Sequence, residues 1–546
     1  MVGAGISGLA AALDLGRGGA RVLVLDMSSV FGGHAVMSQG AVSIVATPMQ
    51  AQAGIQDSPD LAYNDFHRWG EDPNSKWVRY YADNSRRDIY DWLDELGVRF
   101  TDVWASSGNS VAREHLPAGR GIGLVTPIYR ACLELGRVEF AWNAEVRKLL
   151  TRDGRVVGVL ARDVRTRDER ELRARAVVLA TGGFQSNLDM VREFWPAEFP
   201  FPQRILAGSG TNSVGLGHKL AEAAGGQLVD MDRQWNYFTG LPDPRYPGTN
   251  RGLNATNLYG ILVNAEAKQF ANFHGWAKEV MPALLRQEKA TCWCIFDEAT
   301  KGQFSVSGSD WGDFKKVDAL ILQNRDLVKQ ADTLEELAEL SGLPEKNLVE
   351  TVARYNRMVE QGTDTDFGRF GPERPAALNR SPKVETPPYY AMQTWPLTRK
   401  SMGGVAIDLE ARVLDRHGAP IPGLYAVGEL AGLAGINGKA ALEGTFLGPC
   451  IVTGRVAARS LLSELKIVAP TETTESRCAE CHQMSELLAA PRAGYWHFEK
   501  VHRVTEERGL DCRQCHSELT PYREASHRIN RQSLAASCVQ CHVAQE

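Results

Sequence analysis

Gly3-Ala4-Gly5-Ile6-Ser7-Gly8, then Leu9-Ala-Ala-Ala-Leu13, then Arg21-Val-Leu-Val-Leu-Asp26, is the stretch that decides the fold. Read in order it is a glycine loop, an alanine- and leucine-rich helix, and a buried strand ending in an acid. Glycines in this spacing permit a tight turn and let the backbone approach a pyrophosphate closely. The helix N-terminus then faces the anion, and Asp26 is placed to bond a ribose hydroxyl. A glycine loop alone is weak evidence, but loop, helix, strand and terminal acid together predict dinucleotide binding. A full strand normally precedes such a loop, and here Met1 and Val2 alone stand before Gly3. Most of that strand, and any export signal, is therefore expected upstream of this start.

Working outward, Ala176-Val-Val-Leu-Ala180-Thr181 is a second buried strand, running into Gly182-Gly183-Phe184. Gly423-Leu-Tyr-Ala-Val-Gly428-Glu429 is a third, again meeting a glycine turn. Glycine-terminated strands this far apart predict an α/β nucleotide-binding domain assembled from distant segments. Residues 232–375 differ. They are rich in Trp, Tyr and Pro at first, including Trp235, Tyr237, Tyr246 and Tyr259, and amphipathic over Thr333–Leu340 and Leu348–Val359. They are read as an inserted α+β cap, which divides the nucleotide domain into 1–231 and 376–465.

At 466–476 the chain turns polar and proline-containing, and reads as a linker. Beyond it, residues 477–546 carry Cys478-Ala-Glu-Cys481-His482, Cys512-Arg-Gln-Cys515-His516 and Cys538-Val-Gln-Cys541-His542. Cys-x-x-Cys-His is the attachment signature of c-type haem: two thiols bond the macrocycle and the His ligates iron. A zinc ribbon explains paired Cys-x-x-Cys, but not three pairs each followed directly by His. The remaining tail histidines, His497, His502 and His527, equal the haems in number and are assigned as distal ligands. The tail resembles small multihaem cytochromes of the c3 and c7 type. Outside the motifs, Cys292 and Cys294 lie in an apolar stretch and are expected to be buried small hydrophobes.

A net charge of −5 argues against a general nucleic-acid binder, and no apolar run is long enough to span a bilayer. Covalent haem points to a periplasmic or otherwise extracytoplasmic protein.

Together with Ser401-Met-Gly-Gly404, these motifs make residues 1–460 resemble the flavoprotein family of fumarate reductases, flavocytochromes c and ketosteroid dehydrogenases. The resemblance implies FAD, with substrate held between flavin and cap. It places FAD contacts at Gly3, Ala4, Gly5, Ser7, Gly8, Asp26, Gly32, Gly33, His34, Ser38, Gly40, Val146, Ala180, Thr181, Gly182, Gly428, Glu429, Gly444, Thr445 and Leu447. The segment Gly33-His34 to Ala41 is similar to one in membrane-bound succinate dehydrogenases whose histidine bonds FAD covalently. His34 is therefore a candidate for that bond, the alternative being a polar contact.

The fumarate-reducing members place a proton-donating arginine after Ile-Phe-Asp, where this chain has Lys301 following Ile295-Phe296-Asp297. Their histidines before Met-Gly-Gly become Arg399 and Lys400, their Asn-Glu becomes Asn272-Phe273, and their carboxylate-binding Asn-Arg becomes Ile436-Asn-Gly-Lys439. Four departures argue against fumarate as substrate. Lys301, Arg399, Lys400 and Lys439 are the candidate catalytic residues, because basic groups bind an anion and a lysine of lowered pKa acts as acid or base. The expected function is an extracytoplasmic flavocytochrome c that reduces an activated C=C bond of a small organic substrate. Three haems would relay electrons from a cytochrome or a quinol-linked partner. The alternatives are a ketosteroid- or tricarballylate-type dehydrogenase and a non-catalytic electron carrier.

Overall fold

The computed structural model describes residues 1–273, 276–287, 289–369, 382–467 and 503. The linker at 468–476 and the three haem motifs, with Cys478, Cys481, His482, His497, His502, Cys512, Cys515, His516, His527, Cys538, Cys541 and His542, lie outside the described residues.

The nucleotide domain is built on a parallel sheet. Strand Val22–Asp26 pairs in parallel with Val138–Trp142, and Val177–Leu179 pairs in parallel with Pro420–Ala426. Val2 joins the two halves, bridging Leu25 on one side and Leu179 on the other. Residues 1–2 thus take the central strand position ahead of the glycine loop. The first helix, Ile6–Arg17, buries almost its whole length, which its Ala and Leu content permits. It packs against Leu447–Glu464, the last described helix, so closely that a Cβ on Gly454 would stand 2.4 Å from the Ser7 carbonyl oxygen. Arg455 Nε meets Asp14 Oδ2 at 2.7 Å across the same contact. Segments more than 400 residues apart in sequence therefore form one domain, as the scattered strands predict.

The cap is an eight-stranded sheet in the order Ile261–Val263, Cys292–Asp297, Tyr389–Ser401, Gln234–Pro242, Gly252–Asn257, Phe304–Val306, with Leu206–Ala207 and Val328–Ala331 also on Tyr389–Ser401. One of its faces is covered by the helices Leu334–Ser341 and Glu345–Gln361, whose Leu337, Leu348, Val352 and Tyr355 pack on Ile261, Ile295 and Ala391. The first of these helices opens on Thr333, whose hydroxyl accepts from Glu336 N, and closes on Gly342 in the left-handed conformation. The expected division at 375/376 needs correction. Tyr389–Ser401, assigned to the second nucleotide segment, is the strand on which the cap sheet is organised, and Leu206–Ala207 of the first segment joins it too. Cys292 and Cys294 are buried in that sheet, and burial pushes their thiols up to about 12 and about 11.

Candidate active site

A cavity of about 670 Å³ runs from the glycine loop to the inner face of the cap sheet. Its far end is set by an irregularity in strand pairing. Trp235 lies opposite Lys400 and Asn236 opposite Thr398, so one step on one strand spans two on the other. Arg399 is the extra residue of this bulge. Neighbours on a regular strand face opposite sides, and a bulge re-aims them. Arg399 and Lys400 accordingly both line the cavity.

At the near end, Gly3, Gly5, Ser7, Asp26, Gly32 and Gly33 form the wall. Gly8 does not line it but sets the turn: a Cβ there would lie 2.0 Å from the Gly3 carbonyl oxygen. Ala4 also lies behind the wall, donating its N–H to Asp26 Oδ2 at 2.7 Å, while Ser28 N donates to Oδ1 at 2.7 Å. The helix that starts at Ile6 has no side-chain cap, which leaves its terminal N–H groups to an anion. This cradle, an elongated cavity beyond it and a fixed carboxylate at its rim fit a dinucleotide. His34, Ser38, Gly40, Val146, Ala180, Thr181, Gly182, Glu429, Gly444 and Leu447 continue the wall. Gly428 sits behind it, its N–H bonded to Thr453 Oγ1, and positions Glu429. Thr445 is turned inward and hydrogen-bonds Asn437, so it does not line the cavity. His34 Nδ1 is 3.2 Å from Ser209 Oγ and 3.9 Å from Glu429 Oε2, and burial holds its imidazole below the ordinary histidine range.

At the far end, Lys400 Nζ donates to Tyr237 Oη at 2.7 Å and lies 3.7 Å from the Phe446 ring centroid. Tyr237 Oη donates to Glu443 Oε2 at 2.8 Å. Burial lowers Lys400 to about 8, against the opposing charge of Glu443. Glu114 faces the same space, and burial together with Glu443 raises it to about 8. Arg399 Nη1 donates to Gly208 O at 2.6 Å, while its buried Nε has no partner among the described residues. Phe273, Trp276, Leu258 and Phe446 supply an apolar surround.

Two of the four expected catalytic residues lie elsewhere. Lys301 stands outside the cavity, paired with Asp318 Oδ1 at 3.2 Å on a short helical turn. Lys439 is exposed, and its backbone N–H is held by Gly70 O and Glu71 O. Of the cap aromatics, Tyr237 lines the cavity and Trp235 braces Glu443 from behind, whereas Tyr246 is exposed and Tyr259 lies off the cavity. Glu443 and Glu114 carried no assigned role in the sequence. Glu443 lies in the glycine-rich segment 438–449, which was a usable signal, but nothing marked Glu114.

Residues 1–447 match the FAD binding domain family, and the chain belongs to it. A fumarate reductase (cytochrome) of Shewanella frigidimarina is 32% identical over 462 residues, covering 84% of this chain and 75% of that protein. A KsdD-like steroid dehydrogenase of Mycobacterium tuberculosis is 30% identical over 545 residues, covering 85% and 96%. The open conformation of a flavocytochrome c3 fumarate reductase superposes with a TM-score of 0.69 at 27% identity, covering 85% of this chain and 77% of that one. The chain is thus an FAD-dependent oxidoreductase of the fumarate reductase and steroid dehydrogenase family.

Proposed function

We propose that this protein is an extracytoplasmic flavocytochrome c that reduces a C=C bond conjugated to a carbonyl, in a substrate more apolar than a dicarboxylate. The observation that carries this is the far end of the cavity, where one buried lysine of lowered pKa stands among aromatic rings, beside the Glu443 carboxylate and a Glu114 carboxyl whose pKa burial raises. Among the described lining residues, Arg399 and Lys400 are the sole Arg and Lys side chains, and Glu114 and Glu443 face them. A dianion would meet too little positive charge there. A single carbonyl or carboxylate would not.

FAD, when bound and reduced by two electrons, would supply the hydride for one alkene carbon. Lys400 Nζ supplies the proton for the other, since an acid near pH 8 is matched to neutral operation. Arg399, with its free Nε, orients the carbonyl oxygen. Phe273, Trp276 and Phe446 exclude water from the reacting bond. The three Cys-x-x-Cys-His motifs support haem c as the one-electron feed and support a location outside the cytoplasm, with a cytochrome or quinol-linked donor.

The KsdD-like relative and the apolar surround favour a second reading, dehydrogenation next to a ketone, in which neutral Lys400 accepts the proton. The direction sorts by pH: reduction requires charged Lys400 and falls above about 8, whereas dehydrogenation rises there. A reduced-viologen assay tests this, with 2-cyclohexenone, 4-androstene-3,17-dione, cinnamate and fumarate offered to the haem-loaded protein. Enone-dependent viologen oxidation is expected, with little from fumarate. Faster turnover of fumarate than of any enone overturns the proposal.

A further inference from the structure

Glu443 belongs to the nucleotide domain, in the turn just before helix Leu447–Glu464, yet both its oxygens are taken by the cap sheet. Oε1 accepts from Trp235 Nε1 at 3.0 Å and Oε2 accepts from Tyr237 Oη at 2.8 Å. Trp235 and Tyr237 are two apart on one strand and so share a face. Lys400 stands opposite Trp235 on the neighbouring strand and donates to Tyr237 Oη at 2.7 Å. The result is a continuous chain, ammonium to phenol to carboxylate, that crosses the cleft between the two parts of the protein. The groups facing Lys400 are Arg399 on its own strand, Tyr237 and Glu443 along the chain, and Glu114, Glu429 and His34 across the cavity.

Burying an ammonium against Phe446 strips its water, which alone would drive it toward the neutral amine. The Glu443 anion works against that loss. Burial keeps the Tyr237 phenol well above its usual pKa, so it remains a hydroxyl able to accept from Lys400 and donate to Glu443 at once.

We propose that Glu443 is the positioning residue for Lys400: through Tyr237 it keeps the ammonium charged and aimed into the cavity. This rests on Lys400 being the proton donor of the proposed reaction. It assigns the role of orienting the acid to a residue to which that scheme gives neither the hydride nor the proton. It also makes proton supply depend on the two parts of the protein being closed together.

Trace acetylation of the full chain with acetic anhydride, read by peptide mass spectrometry against pH, tests this without any substrate. Exposed Lys439 serves as the internal standard. In the wild type, Lys400 should become reactive near pH 8. Glu443→Gln should shift that onset down by about one unit, raising the reactive fraction at pH 7 roughly fivefold. Tyr237→Phe keeps the carboxylate but cuts the link. It should move the onset the same way, and it stands in if Glu443→Gln does not fold. An unchanged Lys400 profile in Glu443→Gln, with flavin absorbance retained, overturns the proposal. A shift in Glu443→Gln with none in Tyr237→Phe overturns the route through the phenol. Absence of enone reduction by the wild type is a separate result: it removes the reductase reading and leaves the acetylation profile to decide the Lys400–Glu443 link.

Discussion

At the scale of single residues, the proposed chemistry turns on Lys400 and Glu114. Replacing Lys400 by Met removes the proposed proton donor and the ammonium over the Phe446 ring while keeping an unbranched side chain there. Reduction should slow by about 10²- to 10⁴-fold with flavin content unchanged, as measured by steady-state rate per flavin. Glu114 is raised to about 8 and is therefore a neutral acid at pH 7. Glu114→Gln mimics that acid, so its rate at pH 7 should match the wild type, and differences should emerge only above pH 8. A pH–rate profile of both proteins checks this. Lys400 was legible in the sequence because it abuts Ser401-Met-Gly-Gly404, a motif that fixes where the strand ends. Lys301 and Lys439 lie off the cavity for a common reason: the sequence offers them by spacing from a motif. Spacing does not say which way a helical turn or loop faces, and Asp318 and solvent claim the two side chains instead. Glu114 was silent, since its burial and its proximity to Glu443 arise from contacts far apart in the chain.

Among the elements, the glycine loop and the strand Tyr389–Ser401 contrast in how openly they announce themselves. The loop is local: Gly3, Gly5 and Gly8 impose it through backbone approach alone. Gly8→Ala places a methyl carbon 2.0 Å from the Gly3 oxygen, so the loop must open. That variant should purify with little FAD, as read from the ratio of flavin to protein absorbance. By contrast, the strand's assignment to the cap depends on partners at 206–207, 234–242, 292–297 and 328–331. No pattern within residues 389–401 reveals those partners, which is why a boundary read from sequence at 375/376 leaves the strand out of the cap. The bulge at Arg399 was hidden similarly, because it exists only relative to Gln234–Pro242. The amphipathic helices of the cap are legible from their own periodicity.

For the whole molecule, stability and electron flow follow from groups outside the cavity. His115 and His218 are buried, and burial holds each at about 4 against an ordinary 6.5. Between those values the unfolded chain binds more protons than the folded one, so stability rises with pH and is lost as pH falls from about 6.5 to 4. The urea midpoint should drop across that window. His218→Leu should flatten the drop, since neither ring nitrogen of His218 has a partner among the described residues. The fully buried Arg113, bridging Asp57 at 2.7 Å and Asp65 at 2.5 Å, ties the loop 109–113 to the helix Pro59–Gly70 and the turn before it. Arg113→Met leaves buried Asp57 without a cationic partner and Asp65 with Arg68 alone, and should destabilise the fold by about 3–5 kcal/mol in denaturant titration.

The central claim is that one chain takes electrons in through haem and passes them through flavin to an alkene. Anaerobic stopped-flow spectroscopy tests it most directly. Haem-loaded protein reduced with dithionite is mixed with 2-cyclohexenone or 4-androstene-3,17-dione while flavin and haem bands are followed together. A flavocytochrome reductase predicts that both bands reoxidise on adding the enone, with flavin leading and haem following. Reoxidation of neither band by any conjugated alkene, while oxidised protein is bleached by a saturated ketone, would contradict it and establish the dehydrogenase instead.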